Sequence, residues 1–359
     1  MTALPFLGVR IVSPDRFLSV QYLRGLAALA VVIYHAELQL RRAGYVGWWP
    51  SPVLTGAGVD LFFVISGFIM WVTTVSRNTG PADFYARRVA RIVPLYWFFT
   101  TVVVSVAVVV PQALQTTKFD LAHVVASYFF IPFPSPVDGK AFPILIPGWT
   151  LNYEMFFYFI FGSCLWIGSR LCRLAAVTSI LIALAVAGYA FQPQSTALAF
   201  WTNSIIIEFL FGLLLGWIVV AMPALRSGGW ALIASAVVTL GIAINIPDCP
   251  RFLAIGLPSA LLVLGAVILE RGGGMPKWSL PKLLGDASYS IYLSHVIFLS
   301  VFGQLWRKLE IGSGPASYLA FAVLSVILSA AVGILVYVLI EKPLGKLSVR
   351  KRRCALRPA

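Results

Sequence analysis

The chain has 359 residues, 60% of them hydrophobic and only 11% charged, with a mean hydropathy of +0.90. A soluble domain is about one-quarter charged, so this composition excludes an ordinary soluble fold and points to an integral membrane protein. The formal charge of +14 raises the question of a nucleic-acid partner, and the placement of the basic residues answers it.

Apolar runs of about twenty residues recur along the chain, the length a helix needs to cross roughly 30 Å of hydrocarbon. Strand-period alternation is absent, which argues against a barrel. The expected fold is all-α: a polytopic integral membrane protein with ten spans, at 19–38, 56–75, 93–111, 149–168, 174–191, 202–221, 229–246, 252–269, 284–303 and 316–340. The first run is too long for a removable signal peptide and lacks a small-x-small cleavage site, so it is expected to stay as helix one. Loops such as "PFPSPVDGK" and "ERGGGMPKWSLPK" carry turn punctuation. The expected organisation is a short N-terminal segment (1–18), one transmembrane domain (19–343) and a basic tail (344–359).

With the N-terminus inside, nineteen of the 27 basic residues fall on cytoplasmic segments and seven outside, with Arg24 inside the first span. Both termini are therefore expected in the cytoplasm. The tail "SVRKRRCALRP" then sets orientation and touches anionic lipid, and no nucleic-acid partner is expected. Of the four cysteines, Cys164, Cys172 and Cys354 fall on the cytoplasmic side and Cys249 alone outside, so no bridge is expected. No CxxC, HExxH or clustered His/Asp spacing suggests a metal.

Polar residues inside spans are expensive and mark functional positions by default. In "LRGLAALAVVIYHA", Arg24 and His35 are eleven residues apart, which leaves them about 20° apart around the helix and about 16 Å apart along it. They share one stripe at two depths. Asp60, Glu154, Glu208 and His295 fall on the outer halves of their spans, whereas Arg87, Arg88 and Arg91 mark the cytoplasmic start of helix three. Arg88 and Arg91 are one turn apart and can grip a phosphate or carboxylate together. Such polarity suits a protein that takes an anionic donor from the cytoplasm and does proton chemistry near the far face. A hydroxyl needs a base to become a nucleophile, and His35 is the candidate, with Asp60 or Glu154 orienting its ring. Direct attack by His35 to give an acyl-imidazole is the alternative.

Six strings, "YLRGLAALAVVIYHA", "GVDLFFVISGFIM", "RRVARIVPLYW", "GWTLNYEMFFY", "SYSIYLSH" and "EKPL", stand in an order that resembles the membrane-bound acyltransferase 3 family, most closely its exopolysaccharide O-acetyltransferases of the ExoZ type. The resemblance runs from about residue 18 to 343. It implies transfer of an acyl group, usually acetyl from acetyl-CoA, to a hydroxyl of a cell-envelope carbohydrate or glycolipid, in the inner membrane, with no tightly bound cofactor. His35 and Arg24 match the family's first-helix histidine and arginine, Arg88 and Arg91 its Arg-x-x-Arg pair, and Glu154 its acidic residue after Trp-Ser/Thr-Leu. Polysaccharide biosynthesis machinery is an implied partner.

Each candidate has a plainer reading. Arg24 can snorkel to headgroups, Arg88 and Arg91 can serve topology alone, and His295 can be a packing residue near Tyr292. Trp149 belongs first to an interfacial aromatic belt and second to a sugar-stacking surface. The "GLLLG" at Gly212 and Gly216 reads as helix packing. A flippase, transporter or scaffold for envelope glycans is the competing class, and free CoA release on mixing donor and acceptor separates it from an enzyme.

Overall fold

The computed structural model describes residues 17–42, 44–45, 52–77, 79–114, 117–311 and 314–346. Among these there is no strand, and the protein is helical throughout, as the apolar periodicity requires. Most of the 1–18 segment and of the basic tail, together with Cys354, lies outside the described residues. Seven helical segments are long and apolar enough to cross a membrane: Leu18–Arg42, Gly56–Val75, Pro81–Val109, Arg170–Phe191, Thr196–Ala221, Phe252–Arg271 and Pro315–Lys346. The protein is a multi-pass membrane protein.

Helices α1 (Leu18–Arg42) and α2 (Pro52–Arg77) form its centre. They run antiparallel: Phe17 packs edge-on against Phe68, and a Cβ on Gly58 would lie 2.4 Å from the Ala27 carbonyl oxygen. Helix α3 (Pro81–Val109) starts twelve residues before the expected span. Pro81 at its N-terminus supplies a preset φ, and an Asp83–Arg87 pair at 3.2 Å supports its first turns. The arginine triplet thus sits on a rigid helix and not on a loop.

A short helix α4 (Leu121–Tyr128), capped by Asp120, precedes an ordered loop to α5 (Gly148–Ser163). The expected 149–168 span ends early, in a 3₁₀ turn at Cys164–Trp166, before α6 (Arg170–Phe191) begins. The 202–221 span is interrupted near Asn203, whose side chain accepts from Ile205 N–H; α7 (Thr196–Trp201) lies before the break and α8 (Ile207–Ala221) after it. After α9 (Gly229–Ala243), one π-helical turn at Phe252–Gly256 leads into α10 (Leu257–Arg271). The ninth expected span is two elements, α11 (Ser279–Asp286) and α12 (Ser288–Lys308), and α13 (Pro315–Val336) closes the bundle.

Two close crossings place the site. Where α2 meets α8, a Cβ on Gly67 would fall 2.1 Å from the Phe209 carbonyl oxygen and one on Gly212 2.0 Å from that of Val64. Only a missing side chain permits backbones to approach this closely, so "GLLLG" is a packing motif, as its small residues suggest. Where α1 meets α11, a Cβ on Gly285 would lie 2.0 Å from the Gln21 carbonyl oxygen. At its start α1 is fixed from another element: the Glu270 carboxylate at the end of α10 accepts from Leu18 N–H and Ser19 N–H, both at 2.8 Å, and from Ser19 Oγ at 2.5 Å. Peripheral helices leave their apolar surface facing outward, with Tyr189 and Phe191 on α6 and Leu335 on α13 exposed. That is the surface a lipid solvent covers.

Candidate active site

Helices α1, α2, α3, α5 and α12 line an open cavity between them, the concave setting small-molecule sites use. Its polar walls include Gln21, Arg24, Ser66, Arg88, Arg91, Thr150, Glu154, Tyr158, Ser288 and Tyr292. Four of the residues singled out from sequence, Arg24, Arg88, Arg91 and Glu154, therefore do converge, from three helices, on one space. Arg24 Nη1 lies 3.4 Å from Gln21 Oε1, and its charged neighbours are Arg91, Glu341, Glu154 and Asp286. Arg88 stands over the rings of Phe84 and Tyr158, 5.7 Å from each centroid. Its Nε is buried without a hydrogen-bond partner. A buried guanidinium donor left open is what an anionic ligand would satisfy.

Glu154 belongs to this arginine end. It accepts from Ser66 Oγ at 2.9 Å and from Tyr158 Oη. Ser66 is six residues beyond Asp60 on α2, about 9 Å along the axis, so Glu154 and Asp60 do not sit at one level as expected. Asp60 is turned away from the cavity and is clamped by Arg251, Nε to Oδ1 at 2.8 Å and Nη2 to Oδ2 at 2.7 Å.

His35 meets a different partner from the carboxylates expected beside it. Its ring lies 4.9 Å from that of His295 and 5.2 Å from that of Tyr34, and the titratable groups acting on it are His295 and Arg42. The reason is rotational: Asp60 faces the Arg251 side of α2, whereas α12 packs along the stripe of α1 that carries His35. His295 Nδ1 is 3.2 Å from the Ile291 carbonyl, so that nitrogen carries the proton and donates. Its Nε2 is buried with no partner and is the lone pair available to His35 or to a bound hydroxyl. The ring of Tyr292, which lines the cavity, lies 5.9 Å from His295. Arginines, Tyr292, His295 and His35 thus follow one another along the bundle.

Trp149 does not itself line the cavity but belongs to an aromatic group with Phe63, which does, and with Phe142 and Tyr153. His123, in contrast, is buried with Nε2 2.7 Å from the Phe142 carbonyl and serves packing. Sequence reasoning passed over Tyr158 and Tyr292, which look like apolar-face aromatics, and Glu341. Glu341 accepts from Ser290 Oγ at 2.5 Å and interacts with Arg91 and Arg24. Its position in "EKPL" was the available signal. Among the described residues no group of three or more His, Cys, Asp or Glu side chains is placed to hold a metal, and Cys164, Cys172 and Cys249 are free thiols.

A polytopic helical bundle with an arginine-walled cavity and a histidine pair beyond its Tyr292 wall has the parts a membrane-embedded group-transfer enzyme needs. The chain belongs to the acyltransferase 3 family: the family's acyltransferase domain matches residues 17–337. It is 41% identical over 293 residues, 80% of this chain and 89% of the relative, to the exopolysaccharide production protein ExoZ of Rhizobium meliloti (strain 1021). It is 26% identical over 361 residues, 90% of this chain and 54% of the relative, to a putative peptidoglycan O-acetyltransferase, YrhL, of Bacillus subtilis (strain 168). A putative membrane-bound transacylase, BcsY, of Komagataeibacter xylinus is 27% identical over 340 residues, 89% of this chain and 81% of the relative. No solved structure matches the chain.

Proposed function

We propose that the protein transfers an acetyl group from cytoplasmic acetyl-CoA to a hydroxyl of an exopolysaccharide or related envelope carbohydrate, in the inner membrane. The observation that carries this reading is the convergence of Arg24, Arg88 and Arg91 on one cavity, with the His35–His295 pair behind its far wall at Tyr292. The names of the relatives supply the substrate class, since one is an exopolysaccharide production protein and another a putative O-acetyltransferase.

In this reading the arginines hold the phosphates of CoA, and the pantetheine arm runs along the cavity past Tyr292 toward the histidines. Phosphate groups are matched by guanidinium forks better than by point charges, and Arg88 brings an unpartnered donor to them. Glu154, bonded to Ser66 and Tyr158, keeps the arginine cluster from self-repulsion before the donor arrives. His35 takes the proton of the acceptor hydroxyl as its oxygen attacks the thioester carbonyl, and the thiolate of CoA leaves and takes up a proton. His295, 4.9 Å away ring to ring with its Nε2 unpartnered, is the group placed to orient the His35 ring as it takes that proton. The same reading has ten spans, with α5, α9 and α12 crossing alongside the seven long helices, and both termini in the cytoplasm.

The test is His35→Ala in purified protein, with acetyl-CoA and the de-O-acetylated exopolysaccharide of the host as substrates. Free CoA release falls to background while CoA binding and the unfolding temperature are retained. Release at the wild-type rate in that variant overturns the assignment.

A further inference from the structure

Opposite the donor cavity the bundle holds a second charged cluster that the mechanism above leaves unused. Arg251, just before the π-helical turn at Phe252–Gly256, clamps Asp60 with one edge of its guanidinium, and its Nη2 also points to the Gly56 carbonyl at 3.5 Å. The bridge has a closed end and an open end: the Asp60 side chain is 0% exposed and that of Arg251 44%. Glu208, from α8, completes the cluster. It is 0% exposed, acts electrostatically on Asp60 and Arg251, and has both carboxyl oxygens without a hydrogen-bond partner. Its stem packs against Gly256, where a Cβ would lie 2.8 Å from Glu208 Cγ.

The guanidinium pairs Asp60, whereas the Glu208 carboxyl group is buried with no partner, a costly arrangement until hydrogen-bonding groups join it. Hydroxyls are such groups. Two tyrosines lie within electrostatic range of the cluster. Tyr153 interacts with Arg251 and Glu208, stacks on Phe200 at 3.8 Å and lies 5.9 Å from Trp149. Tyr34 interacts with Arg251 and touches His35 ring to ring at 5.2 Å. Because α1 and α2 are antiparallel, the first turns of α2 run beside the half of α1 that bears Tyr34 and His35. Carboxylates, a guanidinium and aromatic faces, next to the base and away from the donor phosphates, match the hydroxyls and C–H faces of a pyranose. π-helical turns, like the one that follows Arg251, frequently mark functional sites.

We propose that Arg251, positioned by Asp60 and backed by Glu208, is the docking group for the hydroxyls of the sugar acceptor, with Tyr34 and Tyr153 beside it. The proposal rests on the acyl-transfer reading for the identity of the acceptor, but its test does not depend on catalysis. Oligosaccharides cut from the host's de-O-acetylated exopolysaccharide are titrated into detergent-purified wild type, Arg251→Gln and Arg251→Lys, with binding followed by calorimetry; CoA binding and acceptor-dependent CoA release are measured on the same samples. Arg251→Gln weakens oligosaccharide binding about tenfold or more, the size of one lost charge-assisted hydrogen bond, and raises the acceptor KM by a similar factor while CoA affinity holds. Arg251→Lys, which keeps the charge and loses the fork, falls between and covers the case in which the glutamine variant does not fold. Equal oligosaccharide affinity in all three proteins overturns the proposal, as does a parallel loss of oligosaccharide and CoA binding, which marks a purely structural clamp. Wild type that binds the oligosaccharide through Arg251 but releases no CoA leaves this site standing and refutes the acyl-transfer reading.

Discussion

Helix α1 carries both Arg24 and His35, so its anchorage is a functional variable. The Glu270 carboxylate, more than 200 residues away in sequence, accepts three donors at the first turn of α1: Leu18 N–H, Ser19 N–H and Ser19 Oγ. Two of these are backbone donors that no other intrahelical carbonyl can satisfy, and the negative charge also meets the positive end of the helix dipole. In Glu270→Gln the amide oxygen can keep one backbone donor, while the amide nitrogen faces Ser19 N–H and makes no bond with it. The loss is one charge-assisted hydrogen bond, about 1.5–3 kcal/mol, plus about 0.3–1 kcal/mol from the dipole. The first turn of α1 should open more readily by about 2–4 kcal/mol. Hydrogen exchange read by mass spectrometry on peptides covering residues 17–24, in detergent, should show protection falling about 30-fold to about 1,000-fold, with α2 unchanged. CoA affinity should fall with it, because Arg24 is on the second turn. Unchanged protection in a folded variant would refute the idea that this carboxylate holds the helix.

Gly67→Ala should lower the unfolding temperature sharply, by about 1–3 kcal/mol or more of overpacking, because its Cβ would meet the Phe209 carbonyl at 2.1 Å. Gly241→Ala in α9, where a Cβ meets nothing within 4 Å, should be neutral or stabilising by up to about 1 kcal/mol; equal effects at the two glycines would contradict the packing assigned to α2 and α8. Arg88→Ala should weaken CoA binding about tenfold to a hundredfold in equilibrium titration, whereas His35→Ala should leave it intact. If both variants bind CoA alike, the donor cavity is misassigned. Tyr292→Phe removes the hydroxyl that donates to the Pro147 carbonyl at 2.9 Å and pairs with Thr150 Oγ1 at 2.8 Å; turnover should drop more than CoA affinity, and a change in CoA affinity alone would place Tyr292 in phosphate binding.

Much of the architecture was legible before any coordinates. The apolar runs required membrane-crossing helices, and each of the ten expected spans has helix within it, because burial of backbone polar groups in lipid leaves few other solutions. Small residues at Gly212 and Gly216 announced a close crossing. Regular spacing on one helix put Arg88 and Arg91 one turn apart, and both line the cavity that Arg24 reaches from α1. Helical periodicity is a local property, and it survives folding.

Partnerships between helices were not local, and the tertiary structure decided them. The sequence put Asp60 and Glu154 at one depth beside His35, but the rotation of α2 turns Asp60 to Arg251 and brings Ser66 to Glu154, leaving His35 to meet His295. Tyr158 and Tyr292 join the cavity, and Glu341 reaches its arginines, from segments that read as apolar faces or an ordinary span end. A helix's sequence states which residues share a stripe; which neighbour that stripe faces depends on how tightly glycines such as Gly67 and Gly285 let the backbones approach, and that is settled only when the whole bundle packs.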